Sequence, residues 1–207
     1  RRNILGNIKS QGVNVHTVYV VTPPSKSRIK AFVRKLKSVS LIAALKRAAR
    51  IIYFELRTSM YQELLKYNLV SDLYSEEFLS LLREQKYDVF ISISDEIWKK
   101  EIFMIPKYGM LNAHPGKVPK YRGLNSIEEM LKRNTDLTIS GHLIDEGIDT
   151  GPVIYLHEFS ASDILCDGEL NYDLLHVQQA TCIVESLKKI KQRDYIDTFF
   201  EQSNLSS

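Results

Sequence analysis

Two short polar strings follow β-rich segments and carry side chains able to do acid-base and electrostatic chemistry. They are Asn112-Ala113-His114-Pro115-Gly116 and Glu146-Gly147-Ile148-Asp149-Thr150-Gly151-Pro152. In an extended segment, residues two apart project to the same side, so Asn112 and His114 present a carboxamide and an imidazole to one pocket. Asp149 adds a carboxylate from a second loop, and loops at strand ends are where α/β folds place their sites. A carboxamide can donate to an oxygen that is gaining negative charge, and an imidazole can share that duty or move a proton. A carboxylate can take the proton of an attacking amine. Those are the parts of an acyl-transfer site. On local signals alone a plainer arrangement weighs as much: Asn112 as a turn former, His114 as an internally satisfied histidine, Asp149 as a cap beside Gly151. Of the other histidines, His16, His157 and His176 fall in predicted strands or the last helix and read as structural or surface groups. His142, upstream of the Asp149 loop, reads as a supporting neighbour. No Cys/His set has chelating spacing, so no metal is expected.

A sheet must hold these loops. Residues 109–114, 137–144 and 153–159 read as strands, 87–94 as a buried strand, and 69–70 as a short one. Ser75-Glu76-Glu77-Phe78 caps a helix that runs through Gln85, and further helices are predicted over 96–103, 126–133 and 171–191. On the last of these, Leu174, Leu175, Val177, Ala180, Ile183, Val184 and Leu187 form one broad apolar face. The first eleven residues read as the later part of a helix, followed by a β-rich segment over 13–22 that stops at Pro23-Pro24. The alternation predicts an α/β fold with a Rossmann-like, mostly parallel sheet flanked by helices. A helix with no strand before it is unusual in that class, so the first N-terminal strand is expected to be missing. Residues from about 25 to 67 lack Gly and Pro and have helical spacing, which predicts a helical insertion within a single domain spanning 1–207.

With 207 residues, 44% of them hydrophobic and 26% charged, the chain falls among soluble globular proteins rather than disordered or fibrous ones. The net charge of +3 is small, and its basic excess collects in residues 26–50, which hold no acidic residue. Basic residues there alternate with Ile29, Phe32, Val33 and Leu36, the pattern of a solvated helix face, so no nucleic-acid partner is expected. Two widely separated cysteines, Cys166 and Cys182, do not make a disulfide framework, which points to a reducing, cytoplasmic setting. No apolar run is long enough to span a membrane.

The string Leu111-Asn-Ala-His-Pro-Gly-Lys-Val-Pro-Lys-Tyr-Arg-Gly123 resembles the signature of the folate-dependent formyltransferase family, which includes methionyl-tRNA, glycinamide ribonucleotide and amino-sugar formyltransferases. Ser140-Gly-His142-Leu-Ile-Asp145-Glu-Gly-Ile-Asp149-Thr-Gly-Pro152 is similar to the second signature of that family, and the two occur in the family's order. The resemblance covers roughly 72–159. It implies the formyltransferase fold and transfer of a formyl group from 10-formyltetrahydrofolate, without a metal, to the amine of a small substrate such as a nucleotide-linked amino sugar. It also implies that Asn112, His114 and Asp149 are catalytic. The folate is expected against Ser92, Ile93, Ser94, Ile97, Trp98, Ile144, Asp145 and Gly147, and the acceptor against Pro115, Gly116, Tyr121, Arg122 and Gly123. The chain departs from the family at its N-terminus, where a strand and a Gly-containing loop are expected, at Gly116-Lys-Val118, and at Thr138. Methionyl-tRNA members carry a C-terminal barrel, and none is expected after residue 207, so a small amine is the expected acceptor. The oligomeric state is open, a homodimer being compatible. The alternatives are a 10-formyltetrahydrofolate hydrolase and a non-catalytic binding domain of the same fold.

Overall fold

The computed structural model describes residues 2–21, 67–94 and 96–192. The insertion predicted over about 25–67, with the basic segment 26–50, lies outside the described residues except for Tyr67, which opens a strand. The chain divides into two compact units, Arg1–Asn14 with Leu79–Ser207, and Val15–Phe78.

In the unit Val15–Phe78, β1 (Val18–Val21) pairs in parallel with β2 (Tyr67–Val70), Val18 facing Tyr67. Of the segment predicted as strand over 13–22, Val18-Tyr-Val-Val21 is strand and 13–17 is not, while Thr22 lies outside the described residues. Just before it, His16 Nδ1 and Thr17 Oγ1 hydrogen-bond to each other at 2.8 Å, the kind of local side-chain bond that competes with a ladder. The Tyr19 ring meets Phe78 edge-on, centroids 5.1 Å apart.

The larger unit holds the sheet that carries both polar strings. Its strands are β3 (Phe90–Ser92), β4 (Met110–His114), β5 (Leu137–Leu143) and β6 (Val153–Phe159), in the order β3-β4-β5-β6. The β3–β4 pairing is parallel, and β4–β5 and β5–β6 are antiparallel. Three strands therefore share one direction and β5 alone is reversed, the mostly parallel arrangement predicted. All seven residues of Leu137-Thr-Ile-Ser-Gly-His-Leu143 are buried, whereas β6 alternates as an edge strand does.

Helices flank this sheet. α1 (Arg2–Ser10) packs on the C-terminal helix α5 (Tyr172–Lys191), which also lies against β4, β5 and β6. Asn171 caps α5, its side-chain oxygen accepting from Asp173 N at 2.9 Å and Leu174 N at 3.3 Å, and Lys188, Lys189 and Lys191 complement the negative end of the helix dipole. The buried face differs from the predicted one. Leu174 and Val177 are exposed, while the small, partly polar Cys182 and Ser186 are buried with Leu175, Ala180, Ile183, Val184 and Ile190. The helix approaches β5 at Gly141, where a larger side chain would not fit.

α2 (Glu76–Glu84) is capped as predicted, Ser75 Oγ accepting from Phe78 N at 3.3 Å. α4 spans Ser126–Lys132. The helix predicted over 96–103 is shorter, α3 spanning Lys100–Phe103, because the Trp98 indole N–H reaches back to Ser92 Oγ at 2.8 Å and folds the segment over the end of β3. A small hairpin, β7 (Leu165–Cys166) with β8 (Glu169–Leu170), turns at Asp167-Gly168, both with positive φ (52° and 80°). That Asp-Gly pair is the turn signal the sequence reading missed. No helix among the described residues is long and apolar enough to cross a membrane.

Candidate active site

β4 presents Asn112 and His114 from one face. Register places Asn112 between Ser92 of β3 and His142 of β5, and His114 opposite Ser140. Because residues two apart share a face, Ser140 and His142 look toward the same region as Asn112 and His114. His114, Ser140 and His142 are buried and Asn112 is half-buried. The Asn112 carboxamide makes no hydrogen bond to another described residue, so its donors remain unspent.

The loop after β4 is tied down at several points. Ser140 Oγ–H donates to Gly116 O at 2.7 Å and accepts from Val118 N at 3.2 Å, and Ser126 Oγ–H donates to Gly123 O at 3.0 Å. His114 Nε2–H donates to Tyr121 O at 2.9 Å. The second loop is shaped by Asp145, whose Oδ1 accepts from Gly147 N at 3.1 Å and from Thr150 Oγ1–H at 2.6 Å. Beyond that turn Asp149 adopts φ 50°, a left-handed conformation that Asp tolerates better than most residues, and turns its carboxylate inward. Gly123 N then donates to Asp149 Oδ2 at 2.8 Å, joining the two loops.

Asp149 lies between two imidazoles. Its Oδ2 is 3.3 Å from His114 Nδ1 and its Oδ1 is 3.5 Å from His142 Nε2. The partners fix the tautomers. His114 Nε2 faces a carbonyl, a pure acceptor, so it carries the hydrogen. His142 Nδ1 faces Leu143 O at 2.8 Å and carries one for the same reason. In their neutral forms both rings therefore turn lone pairs toward the Asp149 carboxylate. His142 Nε2 is fully buried and makes no hydrogen bond to a described residue, and its 3.5 Å approach to Asp149 becomes an ion pair only when the ring is protonated. Three acceptors thus converge where a proton would satisfy two of them at once, a group arranged to take up a proton.

Burial would raise the Asp149 pKa, but the His142 contact, the Gly123 N–H and the charges of His114 and His142 outweigh it and hold the carboxyl at about 2, below its ordinary 3.8. His114 is shifted the other way. Burial holds its pKa below the ordinary 6.5, against the opposing pull of Asp149 and the Tyr121 carbonyl. A carboxyl with a depressed folded pKa stabilises the fold fully above its unfolded value, and that contribution disappears as pH falls through the folded value. Asp149 therefore contributes on the order of 1–2 kcal/mol above pH ~4, lost as pH falls toward ~2. The depressed imidazole acts in the same sense at higher pH, protonation opposing folding once pH drops below the ordinary value. Urea unfolding at stepped pH tests this: stability should fall more steeply between pH 4 and 2 for the parent than for Asp149→Asn, and equal slopes would contradict the assignment.

Gly116 is set by the same geometry. A Cβ there would stand 2.6 Å from Tyr121 O and 2.7 Å from His114 Nε2, the two atoms of the hydrogen bond that orients the imidazole, and 2.8 Å from Ser126 Cβ. Gly116→Ala is expected to break that bond and cost about 1–3 kcal/mol through overpacking. Thermal unfolding checks it, and an unchanged midpoint would mean the loop relaxes freely.

The other predicted residues fall into two groups. Ser92 is buried, faces Asn112 in register and accepts from Trp98, while Ile93, Ser94, Trp98, Ile144 and Asp145 are half-buried and Ile97 and Gly147 are exposed. A Lys100–Glu146 ion pair of 3.5 Å links the stretch after β3 to the Asp149 loop. Of the second group, Gly116, Tyr121 and Gly123 touch His114 or Asp149 through main-chain atoms. Pro115 is half-buried beside His114, and Arg122 is exposed and forms no ion pair with a described residue. The sequence reading missed Ser140, which pins the loop; its position two residues before His142 on a predicted strand was the available signal. Among the described residues no group of three His, Cys, Asp or Glu side chains could hold a metal ion.

The family model for formyl transferases matches residues 2–185. The chain is 33% identical over 119 residues to the methionyl-tRNA formyltransferase of Thermodesulfovibrio yellowstonii, covering 56% of this chain and 38% of that protein. It is 35% identical over 117 residues to that of Acetivibrio thermocellus, covering 56% and 37%. It thus spans well under half the length of these relatives. In fold it is similar to phosphoribosylglycinamide formyltransferase from Streptococcus pneumoniae, with a TM-score of 0.51 at 16% identity over 86% of this chain and 100% of that one. It is likewise similar to glycinamide ribonucleotide transformylase 1 from Symbiobacterium toebii, with a TM-score of 0.51 at 16% identity over 89% and 78%. With its two signature loops meeting at Asp149 and the family model matching most of its length, this chain belongs to the formyl transferase family.

Proposed function

We propose that the chain transfers a formyl group from 10-formyltetrahydrofolate to an amine, with Asn112, His114 and Asp149 as its catalytic residues. The observation that carries this reading is the unspent Asn112 carboxamide beside a carboxylate whose two oxygens each face an imidazole nitrogen. Bound 10-formyltetrahydrofolate supplies the electrophilic formyl carbon. Asn112 donates to the formyl oxygen as that oxygen gains charge, a contact stronger at the transition state than before it. His114, its Nε2–H spent on Tyr121 O, shares that stabilisation once Nδ1 carries a proton. Asp149 takes the proton the amine loses as its nitrogen bonds to the formyl carbon, directly or through water; the facing imidazoles stabilise that proton, which returns to folate N10 as the C–N10 bond breaks and tetrahydrofolate leaves.

The folate is assigned to Ser92, Ile93, Ser94, Ile97, Trp98, Ile144, Asp145 and Gly147, at the end of β3 and in the Asp149 loop. An exposed isoleucine and a half-buried indole there suit an aromatic ring system with polar edges. The acceptor is assigned to the side of Pro115, Gly116, Tyr121, Arg122 and Gly123. The exposed Arg122, which forms no ion pair with a described residue, favours a phosphate-bearing acceptor. A nucleotide-linked amino sugar is such a molecule. A second acceptor, methionyl-tRNA, is favoured by the names of the relatives matched at 33–35% identity. The chemistry is that of a cytoplasmic one-carbon transferase.

Calorimetric titration with a stable analogue of 10-formyltetrahydrofolate tests the reading. Saturable one-to-one binding is expected, and absence of binding to a folded sample would overturn it.

A further inference from the structure

The Ile144 N to Met110 O bond of 2.7 Å sets the parity of the β4–β5 ladder. Met110, Asn112 and His114 direct their main-chain groups to β5, and Leu111 and Ala113 direct theirs to the β3 side. β3 ends at Ser92, opposite Asn112, so the Ala113 carbonyl points past the last residue of that strand. A buried carbonyl left so is costly. Gln179 of α5 fills the place, its Nε2–H donating to Ala113 O at 2.8 Å.

The same helix face holds β5. Gln179, Cys182 and Ser186 stand at i, i+3 and i+7, and Cys182 Sγ–H donates to Ile139 O at 3.6 Å. Gly141 is pressed so closely that a Cβ there would meet Ser186 Oγ and, at 3.1 Å, Cys182 Sγ. Ala113 and Gly141 face each other in register, between the Asn112–His142 pair and the His114–Ser140 pair. The β5–β6 register shifts at Gly141/His142, the kind of irregularity that re-aims a side chain. α5 therefore grips the pair of strands at the level from which the site residues project.

We propose that Gln179 is a positioning residue for the formyl-transfer site: its amide completes the ladder that β3 leaves open. By doing so it sets β4 between Asn112 and His114, and with it the approach of His114 Nδ1 to Asp149 Oδ2. This rests on the formyl-transfer reading of the site. Gln179 acts through the Ala113 carbonyl rather than through substrate. Its neighbour Gln178 has a separate partner, accepting from His157 Nε2 at 2.8 Å, and that gives an internal control.

The test uses Gln179→Leu, which removes the donor without adding charge, and Gln178→Leu, with histidine titrations followed by NMR of the imidazole rings. In Gln179→Leu the His114 midpoint is expected to move toward its ordinary value by about 0.5 pH units or more, as the ring becomes better solvated. Gln178→Leu should leave the His114 midpoint unchanged. In the transfer assay Gln179→Leu should lose about tenfold in kcat through misplacement of His114, with affinity for the stable folate analogue kept within about twofold. Should Gln179→Leu fail to fold, Gln179→Ala gives the same reading by truncation. An unchanged His114 midpoint in the folded variant overturns the proposal, as does an equal His114 shift in Gln178→Leu, which would signal general displacement of the helix. If the parent itself transfers no formyl group, the formyl-transfer reading falls, and the titrations alone decide whether Gln179 holds this geometry.

Discussion

Asp149→Asn is expected to lower formyl transfer by about 10²–10⁴-fold, the range associated with loss of a positioned general base. The substitution isolates that role because so little else changes. The Asn oxygen can still accept from Gly123 N, so the tie between the two loops is retained. With the oxygen so placed, the new NH2 group faces His142 Nε2 and can donate to its lone pair, where the carboxylate offers only another acceptor. Fold and folate site should therefore survive, and affinity for the stable analogue should stay within about threefold of the parent. Single-turnover measurement separates the chemical step from binding. Parent-level transfer by the variant would remove Asp149 from the proton path.

Asn112→Ala is expected to cost about 10²–10³-fold in kcat with a small change in KM, as for loss of one donor to a developing oxyanion. The half-buried side chain makes no hydrogen bond to a described residue, so its removal should change stability by only about 0.5–1 kcal/mol. A large activity loss without a stability loss is the signature of a group held for substrate rather than for the fold. Asn112→Asp should fare no better, since a second carboxylate would add an acceptor where a donor is needed. A kcat within about threefold of the parent for Asn112→Ala would show that His114 or main-chain groups stabilise the oxygen without it.

Much of the larger unit was legible because its elements obey simple periodicities. β6 coincides with the predicted 153–159, and β5 and α4 lie within a residue of prediction, since each is bounded by turn formers. Where interactions across the fold decide, local pattern failed. The alternation over 87–94 overstated β3, which pairs only as far as β4 faces it, and the helix predicted over 96–103 shrank because Trp98 bonds back to Ser92. On α5, Leu174 and Val177 looked like core and are exposed, because closeness to Gly141 selected Cys182 and Ser186 for the buried face. For the site, residue types and the i, i+2 spacing already joined Asn112 to His114. That Asp149 would lie between two imidazoles depends on the β4–β5 register and the Gly123 tie, long-range facts with no local signature. His142 was read only as a neighbour because nothing in a strand pattern tells which buried histidine faces a carboxylate.

The most direct measurement follows a ¹³C-labelled formyl group from 10-formyltetrahydrofolate by NMR in the presence of the chain. Nucleotide-linked amino sugars and methionyl-tRNA are offered as separate acceptors, and Asp149→Asn is run beside the parent. The account predicts that the label moves to an acceptor nitrogen as a formamide with the parent and not with Asp149→Asn. Label that stays on the folate, leaves as formate in every mixture, or moves equally with both proteins would contradict it.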